Sequence, residues 1–496
     1  MFDQINYSLQ FIKPELILVC TLLVSIILDL IFKNKKIVIY FVIAGLVSSF
    51  VSLLSNSNVN QHLFFNMYAV DPFSHFFKIF LLAATLGIVV FSMFSNEVSE
   101  MKSRKGEFYY FLVALTIGMF LMSSSTNLIM MYLSLELTSL TSYLLAGFMK
   151  EEKSSSEASL KYVLYGAFSS GMMIYGISII YGMTGSFDIF AINIALADGV
   201  TSLALLISTV LIFIGFGYKI SAVPFHFWTP DVYEGSPISV TTILSVASKA
   251  AGFSMLMRFL KIVFIDPYAS PSVNDWGVLE IVPIVEILTV LSVLTMTLGN
   301  IVAVWQTNLK RLLAYSSIAH AGYLLLGVLT LNNEGYSATL IYLVVYLFMN
   351  VGAFLIVMLI SNKIKSDDID SYKGLGMRSP FIGITFSLFL ISLTGLPPTA
   401  GFIGKLYIFS ALINKEMILL AVIGVLNSVV SLYYYVRIFR NMFLRESLPT
   451  DKEINLTLGE KILILAFAIP TLILGLYFAP LVEFAHASVS MFAGNY

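Results

Sequence analysis

The chain has 496 residues, of which 58% are hydrophobic and 11% charged, and its formal net charge at pH 7 is −1. Soluble domains carry about a quarter charged residues, so this composition indicates an integral membrane protein. The single cysteine, Cys20, excludes a disulfide framework, a cysteine zinc site and a cysteine-ligated iron–sulfur cluster. Five scattered histidines form no recognisable haem or metal pattern, and the balanced charge gives no reason to expect nucleic acid.

The apolar runs predict an all-α polytopic membrane protein with about fourteen transmembrane helices. The N-terminal stretch MFDQINYSLQFIKPE lacks the basic region, short apolar core and small-residue cleavage site of a secretory signal, so we expect the first run to be retained. A helix needs about 20 apolar residues to cross the hydrocarbon core. The predicted spans cover residues 14–32, 37–55, 73–95, 108–124, 126–148, 158–182, 201–229, 237–262, 280–303, 309–331, 335–362, 380–413, 417–442 and 460–484.

The loops differ in charge in a way that predicts orientation. Loops after odd-numbered spans are basic, whereas loops after even-numbered spans hold almost no cations, Lys415 being the exception. The basic loops contain Lys33, Lys35, Lys36, Lys102, Arg104, Lys105, Lys150, Lys153, Lys363, Lys365, Lys373, Arg378, Arg440, Arg445 and Lys452. Because basic loops stay in the cytoplasm, both termini are predicted on the outer, periplasmic side of the cell inner (plasma) membrane.

Two pairs of short motifs recur at nearly the same separation, which predicts an internal repeat. YLLAG at Tyr143–Gly147 matches YLLLG at Tyr323–Gly327, and GFGYK ending at Lys219 matches GFIGK ending at Lys405. We predict a five-helix unit used twice, in spans 4–8 and 9–13, the second copy inverted because five is odd. The predicted segments are three N-terminal helices in 1–105, the two repeats in 106–265 and 278–445, and the last helix in 446–496.

Both GF…K motifs lie beside prolines, so the seventh and twelfth helices are predicted to be broken. Pro224 follows Lys219, while Pro397 and Pro398 precede Lys405. Proline removes an amide donor and frees a carbonyl group. In lipid such groups need protein or water partners, and broken helices that line a wet cavity supply them.

Charged residues inside the predicted spans are the candidate functional residues. Glu136 lies in the middle of the fifth span, Lys219 in the seventh and Lys249 in the eighth. An unpaired charge at a helix centre costs about 2.5–3.5 kcal/mol on the insertion scale, which favours a function over chance. Burial disfavours the charged form of a lysine and a nearby carboxylate favours it again, so a movable Glu136–Lys219 pair gives a proton site of adjustable affinity.

Two further candidates continue this polar line into the second repeat. His320 lies in the middle of the tenth span, where an imidazole can relay protons near neutral pH, although a lone helical histidine is often a core residue. Lys405 lies beside the second break, and we rank it with Lys219 as a candidate proton-binding lysine. We predict that protons move from the cytoplasm towards Lys249 and then through His320 and water to Lys405, with Glu136–Lys219 tuning Lys249.

Other charged residues have two readings from the sequence. Glu157 and Lys161 are four residues apart on the sixth helix and form either an interfacial ion pair or part of the relay. His226 and Asp231 are structural caps or proton carriers. The remaining cations are predicted to be interfacial, as snorkelling anchors at a helix start or near the outer face: Lys310, Arg311, Lys78 and His75.

These segments also resemble a known family. KISAVPFHFWTPDVYEGSP resembles the signature of the antiporter-like membrane subunits of respiratory complex I, and GLPPTAGFIGKLYIF resembles its subunit N form. NLKRLLAYSSIAHAGY and EASLKYVLYGAFSSG resemble the same subunit, so the similarity covers nearly the whole chain. The resemblance implies fourteen helices with inverted five-helix repeats.

Carried over by matching motifs, the resemblance also assigns roles to particular residues. Glu136 and Lys219 match the conserved pair, Lys249 the central lysine and Lys405 the lysine of the broken twelfth helix. Glu157 and Lys161 match the pair in the sixth helix. No departure from the family pattern occurs at these positions.

The implied function is one proton-pumping module of NADH:quinone oxidoreductase. FMN, iron–sulfur clusters and quinone are expected in partner subunits and no cofactor in this chain, which is not expected to act alone but with other membrane and hydrophilic subunits and membrane lipid. The alternatives are a subunit of a Mrp-type cation/proton antiporter, a membrane subunit of a membrane-bound hydrogenase, and a non-pumping structural subunit. The subunit N form of the second motif disfavours the first two, and the buried charges disfavour the third.

Overall fold

The computed structural model describes residues 2–55, 59–101, 104–199, 203–269, 276–446 and 454–489. The helices of the first half are α1 Phe2–Leu9, α2 Lys13–Ile31, α3 Lys36–Leu54, α4 Pro72–Ser92, α5 Asn96–Glu100, α6 Lys105–Ser124, α7 Leu128–Ala146, α8 Lys153–Thr184, α9 Ile189–Ala197, α10 Leu203–Ile220, α11 Trp228–Gly235, α12 Ile238–Ile243 and α13 Lys249–Val263. The helices of the second half are α14 Ile284–Trp305, α15 Leu309–Val328, α16 Asn333–Ile364, α17 Leu375–Arg378, α18 Pro380–Thr394, α19 Ala400–Asn414, α20 Ile418–Leu444, α21 Leu458–Leu476 and α22 Ala479–Val489. Lys102 and Lys452 of the predicted basic loops lie outside the described residues.

Twelve helical stretches in the described ranges are long and apolar enough to cross a membrane, so the chain is a mainly helical, multi-pass membrane protein. One of them, Ile238–Val263, joins α12 and α13 through a π-helical turn. The predicted twelfth span is two shorter apolar helices, α18 and α19, of 15 residues each. The α15 helix, at the predicted tenth span, is not among the twelve, and the number fourteen stays a prediction.

The helix at the predicted seventh span is broken beside Pro224, as the sequence predicted. The α10 helix ends at Ile220, and α11 begins at Trp228. The backbone groups that the break exposes find partners within the protein: Val223 N donates to Thr295 Oγ1 at 2.9 Å, and Trp228 Nε1 donates to Tyr218 O at 3.1 Å. Partners of this kind allow irregular backbone at membrane depth, because they replace the hydrogen bonds that a continuous helix would make.

A second break separates α18 from α19. Gly395, with φ +88°, ends α18, and the chain passes Pro397 and Pro398 before α19 begins at Ala400. Gly401 N donates to Ser392 Oγ at 3.1 Å across the break. The carbonyl groups of Leu393 and Thr394, which continuous helix would have bonded, point instead towards a side chain described below.

The centre of the protein consists of α16 and the Ile238–Val263 stretch, whose residues are almost all buried. The α16 helix packs against α15, α18, α19, α21 and α22. By contrast, α2, α3, α20 and α21 leave most of their apolar side chains exposed, which is typical of helices that face lipid or another subunit.

A short hairpin, which was not predicted from the sequence, lies in the polar interruption after the second span. Strands β1 Gln61–Leu63 and β2 Tyr68–Val70 pair antiparallel, with Leu63 opposite Tyr68. Three residues are too short for a periodic pattern to be recognised in the sequence.

Candidate functional site

Lys249 is a fully buried lysine at the start of α13, directly after the π-helical turn Leu244–Ser248. Its Nζ donates to the backbone oxygen and to Oγ of Ser317 on α15, at 3.0 and 2.9 Å. The Tyr233 ring centre lies 5.9 Å from Nζ. Within the described residues no carboxylate pairs with this ammonium group, so serine and an aromatic face are what surround its charge.

His320 is buried on α15 among tyrosine side chains. Its Nδ1 lies 2.6 Å from Tyr342 Oη and its Nε2 lies 3.4 Å from Tyr435 Oη. The Tyr346 ring centre is 5.0 Å from the imidazole centre. Tyr435 Oη in turn lies 2.5 Å from Ser316 Oγ. Both imidazole nitrogens therefore contact groups that can donate or accept a proton.

Lys405 is buried on α19 and holds the carbonyl groups freed by the break in front of it. Its Nζ donates to Thr394 O at 2.8 Å and Leu393 O at 3.4 Å, and to Ser428 Oγ at 3.0 Å. The Tyr323 ring centre is 4.5 Å from Nζ. The broken helix therefore supplies a polar socket for this lysine in an otherwise apolar region.

One face of α15 connects the two lysines. Ser316, Ser317, His320 and Tyr323 are spaced so that they fall on neighbouring turns of the same side of the helix. Ser317 binds Lys249, while the Tyr323 hydroxyl accepts from Ser428 Oγ at 3.3 Å beside Lys405. This face of α15 therefore places a hydroxyl group beside Lys249 and another beside the Lys405 socket, with His320 between them in sequence. The sequence predicted only a polar line.

Glu136 and Lys219 are close enough to influence each other electrostatically but do not form an ion pair in the described structure. Lys219 Nζ is buried and donates to Ser139 Oγ at 3.5 Å, on the same helix as Glu136. Glu136 is half-buried, and its buried Oε1 has no hydrogen-bond partner among the described residues. The stem of Lys219 packs against Gly252, where an added Cβ would lie 3.1 Å from Lys219 Cγ.

Glu157 and Lys161 belong to an ion network near the N-terminal end of α8. Lys161 Nζ lies 2.7 Å from Glu157 Oε1 and 2.6 Å from Asp231 Oδ2. Asp231 also accepts from Arg311 Nη1 at 2.7 Å, and Arg311 Nη1 lies 2.8 Å from Glu234 Oε2. The network joins α8, α11 and α15. Sequence reasoning found the first pair but not Asp231 as the centre.

Two expectations about neighbouring cations were wrong. Arg311 is held by Asp231 and Glu234 rather than snorkelling, and Lys310 is buried, with its Nζ donating to Ser236 O at 3.0 Å. The spacing rule for ion pairs, in which partners lie four residues apart, applies within one helix. Ion pairs between different helices therefore cannot be found from it.

Asp231 lies beyond the end of its span, and its ionisation is set by these contacts. Burial by itself raises the pKa of Asp231, but the hydrogen bonds from Lys161 and Arg311 outweigh it and lower the pKa below the ordinary carboxyl value of 3.8. The charged carboxylate therefore stabilises the junction of α8, α11 and α15 at pH values above 3.8.

Buried ion pairs near the predicted outer side were also missed. Arg258, which is fully buried, donates to both carboxylate oxygens of Asp71 at 2.7 and 3.0 Å. Lys78, predicted to be interfacial, is buried and lies 2.8 Å from Glu15 Oε1, so that prediction was wrong; His75 is partly buried. These partners lie on different helices, far apart in sequence.

A buried amide adjoins the Lys405 socket and was not singled out from the sequence. Asn300 Nδ2 donates to Asn427 Oδ1 at 3.1 Å and to Tyr323 Oη at 3.4 Å, and Asn300 Oδ1 accepts from Tyr434 Oη at 3.0 Å. An asparagine in an apolar span was the available signal. His226 is buried in the first break, and its Nδ1 has no hydrogen-bond partner among the described residues.

The described side chains offer no group of three or more His, Cys, Asp or Glu residues placed to hold a metal ion. Chemically, the arrangement offers three buried basic groups, each with a hydroxyl group beside it, an acid at its edge and an ion network at one end. Such groups bind and release protons; they supply no redox centre.

Comparisons with known proteins show the family of this chain. Residues 125–431 match the family described as NADH:quinone oxidoreductase/Mrp antiporter, TM. NADH-quinone oxidoreductase subunit N 2 of Chloroherpeton thalassium is 49% identical over 490 residues, which cover 96% of this chain and 94% of that protein.

Solved structures have the same fold. A chain of respiratory complex I from Thermus thermophilus is similar with a TM-score of 0.77 and 29% identity, covering 95% of this chain and 99% of that chain. A chain of the Mrp complex from a Dietzia species gives a TM-score of 0.82, with 96% of each chain covered, but at 20% identity this likeness shows the fold alone. The chain therefore belongs to the NADH:quinone oxidoreductase/Mrp antiporter family, in the group of NADH-quinone oxidoreductase subunit N.

Proposed function

We propose that this chain is a proton-translocating membrane subunit of a NADH:quinone oxidoreductase. It couples quinone reduction in partner subunits to proton movement through Glu136, Lys219, Lys249, His320 and Lys405. The observation that carries the proposal is the hydroxyl-bearing face of α15, which contacts Lys249 at one point and the Lys405 socket at another. The group of subunit N relatives supports the assembly in which the chain works.

The proposed path runs from the cytoplasm to Lys249 and on to Lys405. Lys249 has no acidic partner among the described residues, so its charged form is opposed by burial and held by Ser317. His320, with tyrosine hydroxyls at both nitrogens, passes the proton on. Lys405 receives it, because two backbone carbonyls and Ser428 stabilise an ammonium group there.

Glu136 and Lys219 are the proposed control element. The carboxylate and the ammonium group are apart in the described structure, with Ser139 holding Lys219. Closing the pair would favour the charged lysine by Coulomb attraction, and that charge would repel a proton on Lys249 of the adjacent helix. Opening it would reverse both effects. Glu157 and Lys161, tied to Asp231, belong to the proposed entry region.

The proposal includes an architecture and a setting. Fourteen spans would contain two inverted five-helix units, in residues 106–265 and 278–445, after the three helices of 1–105 and before the last helix of 446–496. Both termini would lie on the periplasmic side of the plasma membrane. Partner subunits, membrane and hydrophilic, would carry FMN, iron–sulfur clusters and the quinone site, and the chain would work only within that complex.

The test is proton pumping by the complex in proteoliposomes with Lys249→Ala. We expect the number of protons moved per NADH oxidised to fall while the complex remains assembled. Lys261→Ala is the matched control, because Lys261 lies on the same helix but donates to Val489 O at 3.2 Å, away from Ser317. Unchanged proton stoichiometry in Lys249→Ala and Lys405→Ala would leave a structural role instead.

The second candidate, a Mrp-type antiporter subunit, rests on the shared fold. Native purification of the tagged chain separates the two. NADH dehydrogenase activity that travels with the chain supports the proposal, and co-purification with hydrophobic antiporter subunits alone supports the alternative.

A further inference from the structure

A polar cavity of about 510 Å³ lies at the end of α20 and is rich in arginine. Its walls include Arg437, Arg440 and Arg445 together with Lys373, and the carboxylates of Asp368 and Asp370. Four cationic side chains face two acidic ones, so the cavity has an excess of two positive charges. The cavity is therefore suited to an anion.

The arginines differ in what they already bind. Arg437 Nη1 donates to Val304 O at 2.8 Å and its Nη2 donates to Gln306 O, while its buried Nε has no hydrogen-bond partner in the part of the chain that the structure describes. Arg440 and Arg445 are exposed, and no hydrogen bond or ion pair joins either side chain to another described residue. Lys373 lies 3.3 Å from Asp370 Oδ2, so much of its charge is already balanced. The available donors are thus on two arginines.

An apolar groove begins at the same arginines and runs along α20. It is lined by Val429, Leu432, Tyr433 and Val436, and Arg437 and Arg440 lie at the end next to the cavity. These residues recur at helical spacing on one exposed face. At 1.5 Å per residue the groove is about 16 Å long, close to the thickness of one leaflet of a hydrocarbon core of about 30 Å.

We propose that α20 and this cavity form a binding site for one anionic phospholipid. The headgroup phosphate lies in the cavity between Arg440 and Arg445, and an acyl chain lies in the groove over Val436 and Tyr433. Charge and length together select this occupant: a free phosphate ion would leave the groove uncovered, and a zwitterionic lipid would leave the excess positive charge unbalanced. Basic pockets between transmembrane helices bind anionic headgroups by the same attraction.

The experiment uses the assembled complex in vesicles of phosphatidylcholine that contain phosphatidylglycerol with a photoactivatable acyl chain. Crosslinks are mapped on α20 by mass spectrometry. Arg440→Gln with Arg445→Gln is expected to lower crosslinking at α20 about tenfold or more, since each cation near the surface strengthens anionic-lipid binding several-fold. Val436→Trp, which fills the groove but keeps the charge, is expected to lower it as well.

Lys33→Gln with Lys36→Gln is the matched control, because it removes the same charge from the exposed connection between α2 and α3. It should leave α20 crosslinking unchanged. The proposal is overturned if the arginine variant crosslinks as the unchanged complex does, or if a photoactivatable phosphatidylcholine labels α20 equally well. Competition by excess inorganic phosphate, with no effect of Val436→Trp, would identify a free-anion site instead. Crosslinking of α20 to a neighbouring subunit in place of lipid would also overturn it.

Discussion

Replacing Arg258 by methionine is expected to destabilise the protein by about 3–5 kcal/mol, because it leaves a buried carboxylate without its ionic partner. The Arg258 guanidinium is fully buried and donates to Asp71 at 2.7 and 3.0 Å and to Ser123 O at 3.1 and 2.9 Å. Methionine is apolar and of similar length, so little of the loss comes from a cavity. Asp71 keeps its bond from Ser74 N at 2.7 Å, and it can take up a proton, which places the expected loss at the lower end of that range.

The assay is a double-mutant cycle with Asp71→Asn, measured by thermal unfolding of the purified complex in nanodiscs. Asparagine still caps α4, so the single Asp71 variant tests the charge and not the cap. The double variant should be more stable than the sum of the two single losses predicts, by about 0.5–3 kcal/mol. Additive losses, or an Arg258→Met protein as stable as the original, would refute the reasoning.

Three further outcomes follow from the same structure. Gly395→Ala should impair proton pumping and destabilise the fold by at least about 1 kcal/mol, because φ is +88° and an added Cβ would lie 2.7 Å from Lys405 Cδ; Gly185→Ala, also at positive φ but in open space, is the control in both assays. Asp231→Asn should lower the thermal midpoint at neutral pH, and the difference from the original protein should shrink as pH falls below 3.8. The reason is that the pKa of Asp231 is lowered, so its stabilisation is present above that value and is lost as the carboxylate is protonated. A difference that does not depend on pH would contradict this. Asn300→Leu should cost about 1–3 kcal/mol in unfolding measurements, because Asn427 Oδ1 loses its donor and the Tyr434 hydroxyl loses its acceptor on Asn300, and Tyr434→Phe should cost less; equal losses would show that the amide is not the centre of the cluster.

The local features of the fold were accessible from the sequence because they depend on neighbouring residues. Apolar run length predicted the spanning helices, and prolines predicted both breaks, since the missing amide donor of Pro224 acts on the chain around it. The π-helical turn before Lys249 was not predicted. It depends on packing against other helices, which no run of apolar residues encodes.

For the candidate site, the sequence identified which residues are unusual but not which of them meet. Lys249, His320 and Lys405 are buried where predicted, yet their partners Ser317, Tyr342 and Ser428 are ordinary residues of apolar helices.

The buried ion pairs were missed for a related reason. Asp71 and Arg258 are 187 residues apart, and a helical spacing rule has no reach over such a distance. In a sequence, an acidic residue directly before a helix is explained by N-capping. Asp71 does cap α4, so the sequence gives no further reason to expect its ion pair with Arg258.

The tyrosine hydroxyl groups at the two nitrogens of His320, those of Tyr342 and Tyr435, have a consequence for the timing of proton movement. A hydroxyl that passes a proton forward accepts on one side and donates on the other, and it is left pointing the opposite way. On the proposed path, the hydroxyl groups of Tyr342 and Tyr435 must therefore rotate back before a second proton can follow. Their short contacts, 2.6 Å to His320 and 2.5 Å between Tyr435 and Ser316, resist that rotation. These hydroxyl groups would pass one proton in each catalytic cycle and would have to reorient before they could pass another.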